Sequence, residues 1–145
     1  MVIFLSYYFS ARADRSWYDS LEKPPGVVPD YVFSLIWTFL YIGLVTAGAF
    51  AVTQYLGNRN AFTFLYCLII VMTLAWILLF QVGHNPTVSL DVLFATIALT
   101  VALIVMYRSG VVGARWYPTT IFGLFLLWIC VASYYNYGIV KLNVS

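Results

Sequence analysis

Charged side chains are scarce in this sequence of 145 residues. Asp, Glu, Lys and Arg together make up 8% of it, whereas hydrophobic residues make up 63% and aromatic residues 19%. In a soluble domain roughly a quarter of the residues are charged. The composition therefore excludes an ordinary soluble protein and is typical of a protein embedded in a lipid bilayer. The formal charge of +2 comes from scattered basic residues and argues against nucleic-acid binding.

Residues suited to metal or redox chemistry are equally few, with one His and two Cys. Cys67 and Cys130 each fall in the middle of an apolar stretch, where we expect them to be small buried hydrophobic side chains rather than a disulfide. His84 stands in a Gly-His-Asn-Pro turn with no second His or Cys near it, so no metal site is predicted. Motifs of conventional hydrolases and kinases are also missing.

Long apolar stretches dominate what is present. A hydrocarbon core of about 30 Å needs about 20 apolar residues per helix, so the sequence predicts an all-α integral membrane protein, a single transmembrane domain over residues 1–145. The predicted spans of this five-helix bundle are 1–13, 31–54, 61–82, 88–107 and 117–140. The first span is short, because at about 1.5 Å per residue it rises only about 20 Å. Lys and Arg are divided too evenly between the two sides to predict an orientation, and the type of membrane stays open.

The segment 14–30 concentrates the polar residues. Four of the five acidic residues lie in it or at its edge, namely Asp14, Asp19, Glu22 and Asp30. Prolines and Gly26 predict a loop here, and Asp30 is well placed to be the N-cap of the next helix. Asp19 and Lys23 are interpreted as structural polar residues of this loop.

Asp91 is the one acidic residue inside an apolar span. A carboxylate within a membrane is a functional candidate by default. Asp91 is shallow, however, only three residues into its span, so we favour a structural ion pair with a loop residue such as Arg12, Arg15 or Lys23.

An aromatic stripe runs down the second span, where Phe33, Trp37 and Tyr41 recur at four-residue spacing. Periodicity alone favours ordinary packing against lipid or a neighbouring helix. The functional alternative is the wall of a pocket for a flat hydrophobic ligand. Small residues at four-residue spacing, Gly43, Ala47 and Ala51, indicate close helix contact either inside the bundle or in a dimer.

Two further helical faces combine aromatic and polar side chains. On the third span the face consists of Thr73, Trp76 and Phe80. On the fifth span it consists of Trp128, Ala132 and Tyr135, with Asn136 beside them. Because polar groups at membrane depth need partners, Thr73 and Asn136 are expected to face protein or ligand, although Asn136 is close enough to a helix end to be interfacial.

The end of the fifth span matches a pattern proposed for sterol contact, through Val131, Tyr137 and Lys141. A Tyr and a Lys at a helix end are also ordinary interfacial anchors. Both readings stay open.

The sequence resembles the translocator protein family, TspO in bacteria and the peripheral benzodiazepine receptor in animals. The matching loop and helix residues are Trp17, Tyr18, Asp19, Leu21, Lys23, Pro24, Pro29, Tyr31, Phe33, Trp37, Leu40 and Tyr41. Later matches are Ala75, Trp76, Asp91 and Trp128, followed by Asn136-Tyr137. The family commonly has Asn where Thr73 stands here. The resemblance covers nearly the whole chain.

This resemblance implies a five-helix bundle, commonly a homodimer, with a cavity beneath the first loop and no required cofactor. The implied ligands are protoporphyrin IX or haem-related tetrapyrroles, and sterols in animal members, with roles in tetrapyrrole handling and stress responses. Some bacterial members promote light- and oxygen-dependent porphyrin breakdown, for which Trp17 is the candidate catalytic residue. The ligand-binding residues expected on this basis are Trp17, Tyr18, Pro29, Phe33, Trp37, Tyr41, Thr73, Trp76, Trp128, Ala132, Tyr135 and Asn136.

Several functions are therefore compared. A receptor or carrier that binds tetrapyrroles or sterols comes first, and a photochemical catalyst that oxidises bound porphyrin comes second. Active transport is disfavoured, because no deeply placed Glu, Asp or Lys is present to couple ion flux. A structural or partner-binding helical bundle is the remaining alternative.

Overall fold

The structure is a computed structural model that describes residues 15–111 and 116–144. Within these residues all regular structure is helical. The helices are α1 (Arg15–Ser20), α2 (Asp30–Gln54), α3 (Arg59–Ile77, continued by a π-helical turn Leu78–Val82), α4 (Pro86–Ser109) and α5 (Trp116–Asn143). The predicted all-α membrane fold is confirmed, whereas the predicted span 1–13 lies outside the described residues.

Four of the described helices are long and apolar enough to cross a bilayer. They are α2, α3 with its π turn, α4 and α5, with 25, 24, 24 and 28 residues. At about 1.5 Å per residue, even the shorter ones rise about 36 Å, more than the hydrocarbon thickness. Each begins and ends within one turn of its predicted span. The chain is an integral membrane protein.

Side-chain caps define the starts of α3 and α4. Asn58 Oδ1 accepts a hydrogen bond from the Ala61 amide at 3.1 Å, and Asn85 Oδ1 accepts one from the Val88 amide at 3.1 Å. The predicted N-cap role of Asp30 is wrong, because the cap of α2 is Pro29 and Asp30 is the first helical residue. Its carboxylate still lies at the positive end of the helix dipole.

Small residues bring α2 close to its neighbours within one bundle. Ala47 and Ala51 are fully buried, and a Cβ on Gly43 would lie 3.2 Å from Ile121 of α5. Gly48 lies directly against the ring of Tyr66 on α3. Because Gly43 lies against α5 and both Ala47 and Ala51 are fully buried within this one chain, the small-residue stripe serves packing inside the bundle. The helix α4 in turn packs against both α3 and α5.

Cys67 and Cys130 are free and exposed on the outer surface of their helices. The prediction that they are buried in the protein is therefore wrong. In a bundle that spans a bilayer, an apolar side chain is as stable against lipid as in the protein core, so an apolar stretch does not show which residues face inward.

Candidate functional site

The segment predicted as a loop, 14–30, contains the short helix α1, so that prediction is corrected. Trp17 and Tyr18 of this helix, and Leu21 directly after it, pack against the hydrophobic core. The Leu21 amide bonds the Tyr18 carbonyl at 3.3 Å, which closes the last turn. The segment 15–20 has no proline and can therefore form a helical turn, which ends well before Pro24.

A cavity of about 190 Å³ lies beneath α1 and the segment 21–29, between α2, α3 and α5. Seven of the predicted ligand-binding residues line it: Trp17, Tyr18, Phe33, Trp76, Ala132, Tyr135 and Asn136. Sequence reasoning missed several other wall residues, among them Phe80 as a ligand contact, Gln81, Val27, Val28, Ser34 and Ile139.

The other predicted ligand residues lie around or below this cavity rather than in its wall. Trp37 stacks on Trp76 with ring centroids 5.4 Å apart, and it also stacks on Tyr41 with centroids 5.3 Å apart. Trp128 contacts Phe33 with centroids 5.4 Å apart. The aromatic stripe therefore continues the cavity wall downward into the core.

Two predicted residues have different surroundings. Thr73 is buried, but its hydroxyl donates to the Ile69 carbonyl at 2.7 Å and is thereby satisfied on its own helix. Pro29 is exposed and forms the cap of α2. The threonine could not be assigned to the cavity or to its own helix from sequence, because a Thr hydroxyl can bond the carbonyl four residues earlier in any helix.

Aromatic contacts continue upward from the core to the mouth of the cavity. Phe80 lies 6.2 Å from Trp76, and Trp17 meets the edge of Phe80 at 5.5 Å. Trp17 also stacks on His84, with centroids 4.4 Å apart and planes 13° from parallel. His84 adopts φ 49° in the turn before α4. The one histidine of the sequence is thus a contact of Trp17.

The segment after α1 is docked against the end of α5. Asn143 Oδ1 accepts from the Glu22 amide and Asn143 Nδ2 donates to the Glu22 carbonyl, both at 2.8 Å. Tyr135 donates its hydroxyl to the Gly26 carbonyl at 3.0 Å. A Cβ on Gly138 would lie only 2.5 Å from Pro24. Sequence reasoning missed Asn143 and Gly138, since neither belongs to an aromatic or charged pattern.

The mouth of the cavity is charged. Arg15, Asp19 and Asp30 line it, and Lys23 Nζ lies over the ring of Tyr18, 4.5 Å from its centroid. Burial raises the pKa of the Tyr18 phenol above its ordinary value, and the carboxylates of Asp30 and Asp19 raise it further. Tyr18 is therefore a protonated hydrogen-bond donor at neutral pH.

The residue Asp91 is exposed near the start of α4. Among the described residues, Lys23 is directed to Tyr18 instead, and no ion pair joins Asp91 to Arg15 or Lys23. Arg12 lies outside the described residues. The ion pair of Asp91 with Arg15 or Lys23 is thus absent from the described part of the chain.

Several buried polar atoms near the cavity have no hydrogen-bond partner within the described chain. They are Nε1 of Trp37, Trp76 and Trp128, the Tyr41 hydroxyl, Gln81 Oε1 and Asn136 Oδ1. Asn136 itself is 2% exposed, and its Nδ2 donates to Ser89 Oγ at 2.9 Å. Asn136 is therefore a buried residue of the bundle rather than an interfacial one.

The proposed sterol-contact residues lie elsewhere. Tyr137 and Lys141 are exposed on the outer surface of α5, and Val131 is half-buried. None of the three lines the cavity. A sterol at this position would bind from the lipid side.

The fold and the site define a class: a polytopic helical membrane protein with an aromatic-walled cavity beneath a docked surface segment. A family model described as the TspO/MBR family matches residues 1–142. The chain belongs to the TspO/MBR family.

Curated relatives agree with this family. The "Tryptophan-rich protein TspO" of Archaeoglobus fulgidus is 29% identical over 97% of this chain and 88% of its own length. The protein of the same name from Bacillus cereus is 28% identical over 99% and 95%. "Protein CrtK" of Rhodobacter capsulatus is 27% identical over 88% and 79%.

Proposed function

We propose that the chain is a membrane receptor or carrier that binds a flat hydrophobic ligand, a tetrapyrrole such as protoporphyrin IX or haem, or a sterol, in the cavity beneath α1. The observation that carries the proposal is the wall itself. Trp17, Phe33 and Trp76 line a cavity whose aromatic surface continues through buried Trp37. Aromatic walls with a few polar groups are typical of sites for such ligands.

The volume of the cavity indicates that a ligand must displace the segment 21–29 in order to enter. A cavity of about 190 Å³ is smaller than the roughly 300–1,000 Å³ of pockets that enclose a drug-sized molecule. The segment 21–29 is held to α5 by a few hydrogen bonds and by the Gly138 contact, while α2 to α5 are long packed helices. We therefore expect the segment with α1 to move outward on binding and the four long helices to stay in place.

Protoporphyrin IX titration into purified protein tests this function. Binding should quench tryptophan fluorescence, because several indoles lie at or just below the cavity. Trp17→Phe should weaken binding, whereas Trp116→Phe should not, since Trp116 is 73% exposed at the other end of the bundle. Unchanged affinity in both Trp17→Phe and Trp37→Phe would contradict the assignment of the cavity.

A second candidate function is light-dependent oxidation of bound porphyrin with dioxygen as the oxidant. The position of Trp17 favours it, because this oxidisable indole lies in the cavity wall and contacts Phe80. Illumination in air should produce a new visible spectrum that depends on the protein and on Trp17. Bleaching equal to that in detergent alone would reject catalysis and leave the binding function.

A homodimer stays a prediction that sedimentation in detergent can test.

A further inference from the structure

The π-helical turn Leu78–Val82 places an amide side chain in the cavity wall. Within this turn Phe80 and Gln81 both line the cavity, although they are neighbours in sequence. Such π turns are rare and occur frequently at functional sites. Gln81 is half-buried, and its Oε1 is buried without a hydrogen-bond partner in the described chain.

Asn136, which lines the same cavity from α5, supplies a second unpaired amide oxygen. Its Nδ2 donates to Ser89 Oγ at 2.9 Å, and the Ser89 hydroxyl donates onward to the Pro86 carbonyl at 2.9 Å. Because the Ser89 proton is used by Pro86, Ser89 can accept from the NH₂ group of Asn136 but cannot donate to its oxygen. This chain of bonds orients the amide and leaves Asn136 Oδ1 without a donor.

Unpaired buried acceptors are uncommon in folded proteins, and each costs free energy until a donor reaches it. Both of these acceptors belong to residues in the wall of one cavity, one from α3 and one from α5. The wall includes donor-bearing side chains such as Arg15, Tyr18 and Ser34, but none of them makes a hydrogen bond to either oxygen. A ligand that supplies a donor would remove the cost.

From this arrangement we infer that Gln81 and Asn136 select ligands that carry a hydrogen-bond donor, a hydroxyl or a lactam N–H, at the edge of a flat apolar body. The inference rests on the proposed function and adds the specificity of that site. A ligand with only acceptors at the same edge, such as the ionised carboxylates of protoporphyrin IX, leaves both oxygens unpaired and is expected to bind more weakly than a flat ligand that carries a donor there. Sites that hydrogen-bond a ligand group reject analogues that lack it more strongly than apolar pockets reject a size difference.

Two matched pairs of compounds test the inference and separate the possible sources of the donor. The sterol pair is cholestanol and cholestan-3-one, which differ only in that a ketone replaces the hydroxyl. The open-chain tetrapyrrole pair is biliverdin and its di-O-methyl lactim ether, which lacks both lactam N–H groups. The affinities are measured on the full chain in nanodiscs. Tryptophan quenching gives the affinities of the bilins, and the sterols are measured by their competition with bound biliverdin.

We expect the donor-bearing member of at least one pair to bind about tenfold more tightly, which corresponds to about 1.4 kcal/mol. Gln81→Met, which keeps the length and removes the amide, should reduce that ratio severalfold. Gln54→Met is the matched control, because Gln54 is also half-buried near a helix end and lies away from the cavity, where its Oε1 accepts from Tyr107 at 3.4 Å. The control should keep the full ratio.

The outcomes separate the two levels of the proposal. Equal affinity within both pairs would overturn this inference while leaving the binding function intact, and it would mean that water satisfies the two oxygens. A ratio that survives in both Gln81→Met and Asn136→Leu would also overturn it. Failure of all four compounds and of protoporphyrin to bind would overturn the proposed function and this inference together.

Discussion

The side chain of Asn143 and the backbone of Glu22, which are 121 positions apart in sequence, make two reciprocal hydrogen bonds of 2.8 Å. The amide of Asn143 reproduces the donor and acceptor pattern of a neighbouring peptide group and so holds the segment after α1 at the end of α5. This segment covers the cavity. The hydrogen bonds between Asn143 and Glu22 therefore help to control access to the site from the end of α5.

Asn143→Ala is expected to loosen the segment. Each net hydrogen bond contributes about 0.5–1.5 kcal/mol, and exposure places this pair at the low end, so we expect a severalfold faster dissociation of bound protoporphyrin with little change in melting temperature. Hydrogen exchange at the Glu22 amide should accelerate. Asn60→Ala at the start of α3 is the control, and equal exchange rates in the two variants would contradict the role of Asn143.

Gly138→Ala tests the close contact between α5 and Pro24. The added Cβ would lie 2.5 Å from the proline ring, which cannot bend away, so the segment must shift at a cost of about 1–3 kcal/mol. Cavity access should increase. Gly123→Ala on the same helix meets nothing within 4 Å and should stabilise the protein by roughly 0.5–1 kcal/mol. Thermal unfolding of both variants in one detergent distinguishes these opposite signs.

Gly48→Ala examines the contact of α2 with α3. A Cβ there would overlap the ring of Tyr66, whose hydroxyl donates to the Leu44 carbonyl at 2.9 Å. We expect a loss of about 1–3 kcal/mol in the free energy of unfolding, measured by denaturation in detergent. A neutral result would show that Tyr66 moves freely and that the contact does not restrict α2.

The ionisation of Tyr18 provides a prediction on pH. Its pKa in the folded protein is raised, first by burial and then by Asp30 and Asp19, above the ordinary value of about 10. The unfolded chain therefore loses this proton first, so the stability contributed by neutral Tyr18 is complete below pH about 10 and is lost as pH rises through the higher folded pKa.

Absorbance near 295 nm, taken as the difference between the protein and Tyr18→Phe, follows this ionisation. Asp30→Asn should shift the Tyr18 midpoint to lower pH, because one of the raising charges is removed. Asp91→Asn should leave it unchanged. A midpoint that is unchanged in Asp30→Asn would show that the Asp30 carboxylate does not raise the pKa of Tyr18.

The aromatic cluster shows how far sequence patterns reach. Four-residue spacing placed Phe33, Trp37 and Tyr41 on one face, and in the structure successive members of this set are ring contacts. Which of them lines the cavity depends on how α2 is rotated against α3 and α5. Periodicity does not encode that rotation in a membrane protein, since lipid and protein interior are equally apolar.

The sequence by itself determined the membrane environment, the four long helices and the segment that covers the site, because scarcity of charge, span length and proline position act locally along the chain. Only the tertiary structure decided the contents of the site. The docking of Glu22 on Asn143, the π turn that brings Gln81 to the wall and the satisfaction of Thr73 by its own helix all depend on packing and bonding geometry. Residues distant in sequence contribute to one cavity only after the helices have packed, and that packing selects among side chains that are indistinguishable by hydrophobicity.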